Sequence, residues 1–467
     1  MLPRLTLSRL TLPRLTLSRL AWLPVAIWLT ACSAEQFNRP GADGVDEALY
    51  TSVNPYYAEF CALSQIMKKP GFGADIRGEI GGHSVLYLNG ACRDPGTDYP
   101  TLSMCDSIAG APANVTRQDG VGLSMNDHFS NAKWVATPGR AFFYDGGLPR
   151  GAGLTRADYA QTKAQAKQLG IYRGVTFHSQ FFDDKPADVS QEDYKYEISI
   201  ATDYAINFGR GRFCARVPVS RAQMVRMIAF LNAQNEPYRD GSKIFQWSVF
   251  QDNCIHLAHN ALAAAGLWEA RPLDEPLVLA FFDFPVPKNE FVDVMRRTND
   301  PPDLDPSAIY HDAYAVRSLM RFGRLPWIPG ALADGHPPRQ PNEVYDTDLA
   351  LIFYDKPIIG QYQERFDNIF NNPRYLDFAQ NLEYFAGLYR QVAADRKPLE
   401  TLLARSEFQA PADRQRFTEF YQRYYAYVDA QRTVVDARLA QLKALPSPGV
   451  RLSTANPPPP PMSRNPG

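Results

Sequence analysis

Phe250-Gln251-Asp252-Asn253-Cys254-Ile255-His256-Leu257-Ala258-His259-Asn260-Ala261-Leu262-Ala263-Ala264-Ala265-Gly266 is the stretch from which both fold and chemistry are read. Asp252 or Asn253 can cap a helix, the Ala-rich run that follows has high helix propensity, and Gly266 is a natural stop. Cys254 therefore falls in the first helical turn. There the unpaired N–H groups and the positive end of the dipole favour thiolate over thiol. The same N–H groups are candidate donors to an oxyanion. His256 and His259 do not complete a metal cluster with Cys254, because on a helix they lie about 200° and about 500° further round. They read as helix-packing residues.

A thiolate nucleophile needs a base, ordinarily a histidine held by a third polar group. Of the seven histidines, His83 stands out in Gly81-Gly82-His83-Ser84-Val85-Leu86-Tyr87-Leu88, a predicted strand on which His83, Val85 and Tyr87 share a face. The order histidine, then Asn253-Cys254-Ile255-His256-Leu257 at a helix start, resembles the circularly permuted NlpC and papain-like thiol hydrolases. That branch includes the lecithin retinol acyltransferase family, whose motif is Asn-Cys-Glu-His-Phe; this chain departs from it at Ile255 and Leu257. The resemblance covers at most residues 70–270. It implies Cys254 as nucleophile, His83 as base, a permuted papain-like domain, and insertions at 92–118 and 145–195. The third member would sit on the strand after the histidine strand, where Asn126 is favoured over His128, with Glu79 a further candidate.

Around this segment the chain reads as α+β, an antiparallel sheet packed on helices followed by a helical C-terminal lobe. Tyr57, Phe60, Cys61, Ser64 and Met67 recur at helical spacing, which predicts a helix from Tyr50 to Lys68. Short strands are predicted at His83 to Leu88, Val121 to Met125, Lys133 to Thr137, Arg140 to Tyr144 and Tyr196 to Ala201. Helices are predicted at Thr155 to Leu169 and, with Ser220 as cap, Ser220 to Asn232. The expected domain spans residues 49–290, and the prolines of 291–350 read as a connection. Residues 351–445 then show aromatic stripes at helical spacing, Tyr375 to Val392 and Phe417 to Val435, expected to be core. The tail 446–467, with five prolines at 457–461, is expected to be extended.

The first 31 residues carry Arg4, Arg9, Arg14 and Arg19 in a near-exact decapeptide duplication, then twelve uncharged residues, Leu20 to Ala31. That is the length of a signal h-region and short of the ~20 residues that cross a bilayer. The run ends in Leu29-Thr30-Ala31-Cys32, which resembles the bacterial lipobox. The resemblance implies removal of 1–31, acylation of Cys32 and a tether over 32–48. Ser33 after the cysteine implies delivery to the outer membrane. Cys61, Cys92, Cys105, Cys214 and Cys254 remain in an oxidising compartment, an odd number that leaves one thiol over. Sequence alone does not choose the pairing.

With 45% hydrophobic residues in 467, the chain has ample core material. Its net charge of -1, or -5 once the four leader arginines are removed, gives no electrostatic footprint for nucleic acid. No metal or organic cofactor is implied. The expected partners are the membrane, through the lipid on Cys32, and a lipid acyl or peptidoglycan peptide substrate. The expected activity is an envelope cysteine hydrolase or acyltransferase acting on an amide, ester or thioester. The competing reading is a non-catalytic lipoprotein that binds or scaffolds an envelope partner, with Cys254 tied in a disulfide.

Overall fold

Strand β2 (Tyr57–Leu63) is buried at every position, and its alternation sends different chemistry to the two sides of one sheet. Ala58, Phe60 and Ala62 enter one core, whereas Tyr57, Cys61 and Leu63 enter another. The computed structural model describes residues 32–35, 47–70, 72, 77–78, 82–107, 120–274, 276, 286–301, 304–347, 351–354 and 361–444. The leader, most of the tether, Glu79 and the Pro-rich tail lie outside the described residues.

The central sheet has six strands in the order β11 (Leu332–His336), β10 (Arg212–Pro218), β2, β5 (His83–Asn89), β8 (Val121–Ser124), β9 (Val135–Pro138). Every pairing is antiparallel. Smaller pairings join β1 (Cys32–Glu35) to β13 (Leu351–Tyr354), β6 (Ala91–Arg93) to β7 (Leu102–Met104), and β3 (Ile66–Lys68) to both β4 (Arg77–Gly78) and β12 (Tyr345–Asp346).

Helices cover both faces. On the Phe60 side lie α5 (Arg221–Asn235), α6 (Cys254–Ala264), α7 (Pro287–Asn299) and α10 (Tyr362–Asn371). On the Tyr57 side lie α1 (Glu47–Val53), α2 (Arg140–Asp145), α8 (Pro306–His311), α9 (Ala313–Phe322), α11 (Phe378–Ala394), α12 (Leu399–Leu403) and α13 (Pro411–Ala444). A third core gathers α3 (Arg156–Leu169) and α4 (Gln191–Ser199) around Phe129, Tyr172 and Tyr345. Capping boxes start two of these helices: Thr155 with Asp158 for α3, and Ser220 with Gln223 for α5.

The α+β class is as expected, and so are the strands begun by His83 and Val121 and the helices capped by Thr155 and Ser220. Three elements differ. Tyr50 to Lys68 is not one helix but α1 followed by β2 and β3; β2 is buried on both faces and, but for Glu59, apolar, so its apolar positions match a helical period by coincidence. Arg140 to Tyr144 is helix α2, and Tyr196 to Ala201 is mostly the end of α4. Both runs are rich in aromatic or β-branched residues that favour strands, overridden by packing. Residues 291–350 are more than a connection, since they supply most of α7, all of α8 and α9, and edge strand β11. The C-terminal aromatic stripes are core: Phe385, Tyr389, Phe417 and Tyr424 share one cluster with Tyr57, Val85 and Tyr87 of the sheet.

Candidate active site

The start of α6 is fixed by Asn253 rather than Asp252. Asn253 Oδ1 accepts from Ile255 N at 2.9 Å and His256 N at 3.2 Å, and its Nδ2 donates to Val249 O at 2.7 Å. The cap thus engages two of the N–H groups that the sequence reading offered to an oxyanion, and these are not donors to a substrate. Asp252 is turned aside to Lys133, 2.6 Å away. Cys254 is buried in the first turn. It stands outside both bridges, Cys61–Cys214 and Cys92–Cys105.

Lys133 stands two residues before Val135, the start of β9, which pairs with Ser124, the last residue of β8. The Asp252–Lys133 ion pair therefore tacks the start of α6 to the end of the sheet where β8 stops and β5 begins. That is the end carrying His83, and α6 itself packs along β5. Alternation sets His83 with Val85 and Tyr87, whereas α6 lies over Leu86 and Leu88. Cys254 and His83 thus flank one sheet end from its two sides.

His83 Nε2 lies 3.1 Å from Ser124 Oγ, which in turn donates to Thr202 O at 3.2 Å. A carbonyl only accepts, so the Ser124 proton goes to Thr202 and Ser124 Oγ accepts from His83 Nε2–H. The basic lone pair of the imidazole is then on Nδ1. Continuing the β5–β8 register by two places Asn126 across from His83. Asn126, however, donates through Nδ2 to Asp203 at 2.7 Å and accepts from His128 N at 2.9 Å. Ser124 is a partner of His83, whereas Asn126, favoured from the sequence, bonds Asp203 and His128. His128 packs its ring on Phe177 and Phe181.

Asp203, also missed by sequence, accepts from Tyr172 as well as Asn126. Ala201 and Ala205, which bracket the Thr202-Asp203 segment, hold φ of 65° and 52°. Left-handed backbone at a residue with a Cβ costs roughly 1–2 kcal/mol each. Such strain clusters at functional sites, and here it presents Thr202 O and the Asp203 carboxylate to the strand end. Ser124 and Asp203 left no motif in the sequence; the only signal was the polar run after Val121.

His259 is a packing residue, as expected. Its Nδ1 lies 2.7 Å from Glu290 Oε1 and its ring stacks on Trp268 at 4.2 Å. His256 Nδ1 lies 3.0 Å from Asn253 Oδ1. Near Glu290, burial and the Glu290 charge push the Asp293 carboxyl up to about 6. An unfolded aspartate ionises near 4, so the folded state binds the extra proton between roughly pH 4 and pH 6. Stability therefore falls as pH rises through that window and stays lower above it. Asp293→Asn is expected to gain up to about 3 kcal/mol at pH 7.5 and almost nothing at pH 4. Urea unfolding at both pH values checks this, and an unchanged midpoint at pH 7.5 would refute it.

Cys32, the expected lipidation site, begins β1 and pairs with Tyr354. Among the described residues one trio of metal-type ligands converges, Glu59, Cys61 and Cys214, but the two sulfurs are bonded to each other and offer no thiolate. Among those residues no helix is long and apolar enough to cross a membrane. The loop leading into α6 exposes Ile244 (58%), Trp247 (36%) and Val249 (37%), three large apolar side chains within six positions. No protein-family model matches the chain, and neither a curated protein nor a solved structure matches it.

Proposed function

We propose that the chain is a lipid-tethered envelope thiol enzyme of the permuted papain-like type, a hydrolase or acyltransferase with Cys254 as nucleophile and His83 as base. The observation that carries this reading is that Cys254, which stands outside both bridges, starts a capped helix at the sheet end of His83. Cys254 Sγ attacks the carbonyl carbon of an ester or thioester, its proton passes round the end of the sheet to His83 through a bridging water, and the tetrahedral adduct expels its alcohol or thiol, which leaves with that proton. Water or a second nucleophile then attacks the thioester and releases the acyl group. Of the two substrate classes, the exposed Ile244, Trp247 and Val249 beside α6 favour lipid acyl groups over stem peptides, since apolar side chains of this size at the surface match an acyl-chain environment.

The test is mass-spectrometric mapping of the non-reduced protein after mild iodoacetamide, in wild type and in His83→Ala. Rapid alkylation of Cys254 near pH 6, slowed about tenfold or more without His83, is expected if a histidine maintains the thiolate. A Cys254 that is inert in both proteins defeats the enzyme reading and leaves a binding or scaffolding lipoprotein. Equal, fast alkylation in both removes His83 as the base.

A further inference from the structure

The side of the sheet away from α6 carries a second chemistry. A cavity of about 660 Å3 opens between α1, α2 and the sheet, lined by Arg140, Arg150, Arg212, Glu47, Asp145 and Tyr144 among others. Behind its wall lies Glu59, fully buried, held by both Nη atoms of Arg140 and approached by Arg216 Nε at 3.6 Å and Arg212 Nη1 at 3.7 Å. Glu47 serves Arg140 and Arg216, and Asp334 lies 3.8 Å from Arg216.

The charges do not balance. Arg140, Arg212 and Arg216 are matched by Glu47, Glu59 and Asp334, while Asp145 is taken by Arg339 at 3.1 Å. Arg150 on the rim adds a fourth guanidinium with no carboxylate partner among the described residues. The most buried lining cation, Arg212, is only 3% exposed. Its Nε donates to Asn207 Oδ1 at 3.0 Å, its Nη1 approaches the Cys214 sulfur at 3.2 Å, and its plane lies 4.0 Å from the Tyr144 ring centroid. Stacking fixes the fork while its only carboxylate stays beyond hydrogen-bond reach. A planar guanidinium so held is preorganised for an oxyanion.

We propose that this cavity is a binding site for a small ligand through one oxyanion group, a carboxylate or a phosphate, clamped between Arg212 and Arg150. It is separate from the Cys254 site, since it lies against Tyr87 and Tyr144 while α6 covers the other face. A single negative charge neutralises the excess guanidinium.

The test is calorimetric titration of the full chain with three probes: acetate, N-acetylalanine and inorganic phosphate. One-to-one binding is expected, with affinity reduced about tenfold or more in Arg150→Ala and in Arg212→Gln, and unchanged in Cys254→Ala. Arg150 is exposed, so its variant tests the site even where loss of Arg212 unfolds the chain. Saturation by the carboxylates alone or by phosphate alone supports the site and identifies the source of the oxyanion. Failure of all three probes to saturate by about 10 mM, or binding indifferent to Arg150→Ala, overturns the proposal without bearing on Cys254.

Discussion

Glu59→Gln is expected to lose about 3–5 kcal/mol of unfolding free energy near pH 7, because breaking a buried ion cluster from one side strands the charges that remain. Three guanidiniums surround this carboxylate, and none of Arg140, Arg212 and Arg216 has another fully buried acid within hydrogen-bond distance. Burial alone would raise the Glu59 carboxyl, but Arg140 and Arg216 outweigh it and hold the group down at about 2. An unfolded glutamate ionises near 4.3. The ionised carboxylate therefore contributes its stability fully above that value, and loses it as pH falls through about 2. Urea unfolding at pH 7 and pH 3 should show the wild-type advantage over Glu59→Gln narrowing with acid. An equal difference at both would mean that Glu59 acts by shape and not by charge.

Removing the Cys61–Cys214 bridge, with both residues replaced by alanine, is expected to cost up to about 5 kcal/mol by chain entropy. The bridge closes a loop of 153 residues, whereas Cys92–Cys105 closes one of 13. The same relation gives about 3 kcal/mol for the shorter loop. The longer bridge also joins directly opposed residues of β2 and β10 in the middle of the sheet, where Tyr144 Oη lies 3.3 Å from the Cys61 sulfur. Denaturation midpoints of the two double variants decide the ranking. A larger loss from Cys92–Cys105 would show that the reduced chain keeps β2 and β10 together without the bond.

The parts of this molecule that sequence discloses are those governed by neighbours along the chain. The caps at Asn253, Thr155 and Ser220 are local hydrogen-bond geometry, and the positive φ of Gly266 is a local steric demand, so a short window suffices. Once Cys32 is set aside, five cysteines remain, enough to expect one thiol outside the bridges, and the capped helix start marked Cys254 as the candidate. The misread elements are those decided by what packs on them. Tyr57 to Leu63 is a strand because helices from both ends of the chain cover its two faces. The charged cluster was invisible for a similar reason: Arg140 meets Glu59 across 81 positions, and no spacing rule reaches that far. At the proposed active site, His83 was legible as a strand histidine, but Ser124 became its partner only through a carbonyl, Thr202 O, on a strained segment far down the chain.

The strand order β11-β10-β2-β5-β8-β9 has a consequence for how the chain assembles. The first of these strands to be synthesised ends up near the centre, and its neighbour β10 follows some 150 positions later. Pairings of such separation close slowly, because loop entropy is lost before contacts compensate it. The Tyr57, Val85 and Tyr87 face then waits for α11 and α13, which follow all six of these strands along the chain. Until Phe378 to Ala444 arrive, a nascent chain carries a bare aromatic surface with buried-type arginines beside it. A chain stopped short of α11 is therefore expected to aggregate rather than to fold as a smaller working protein.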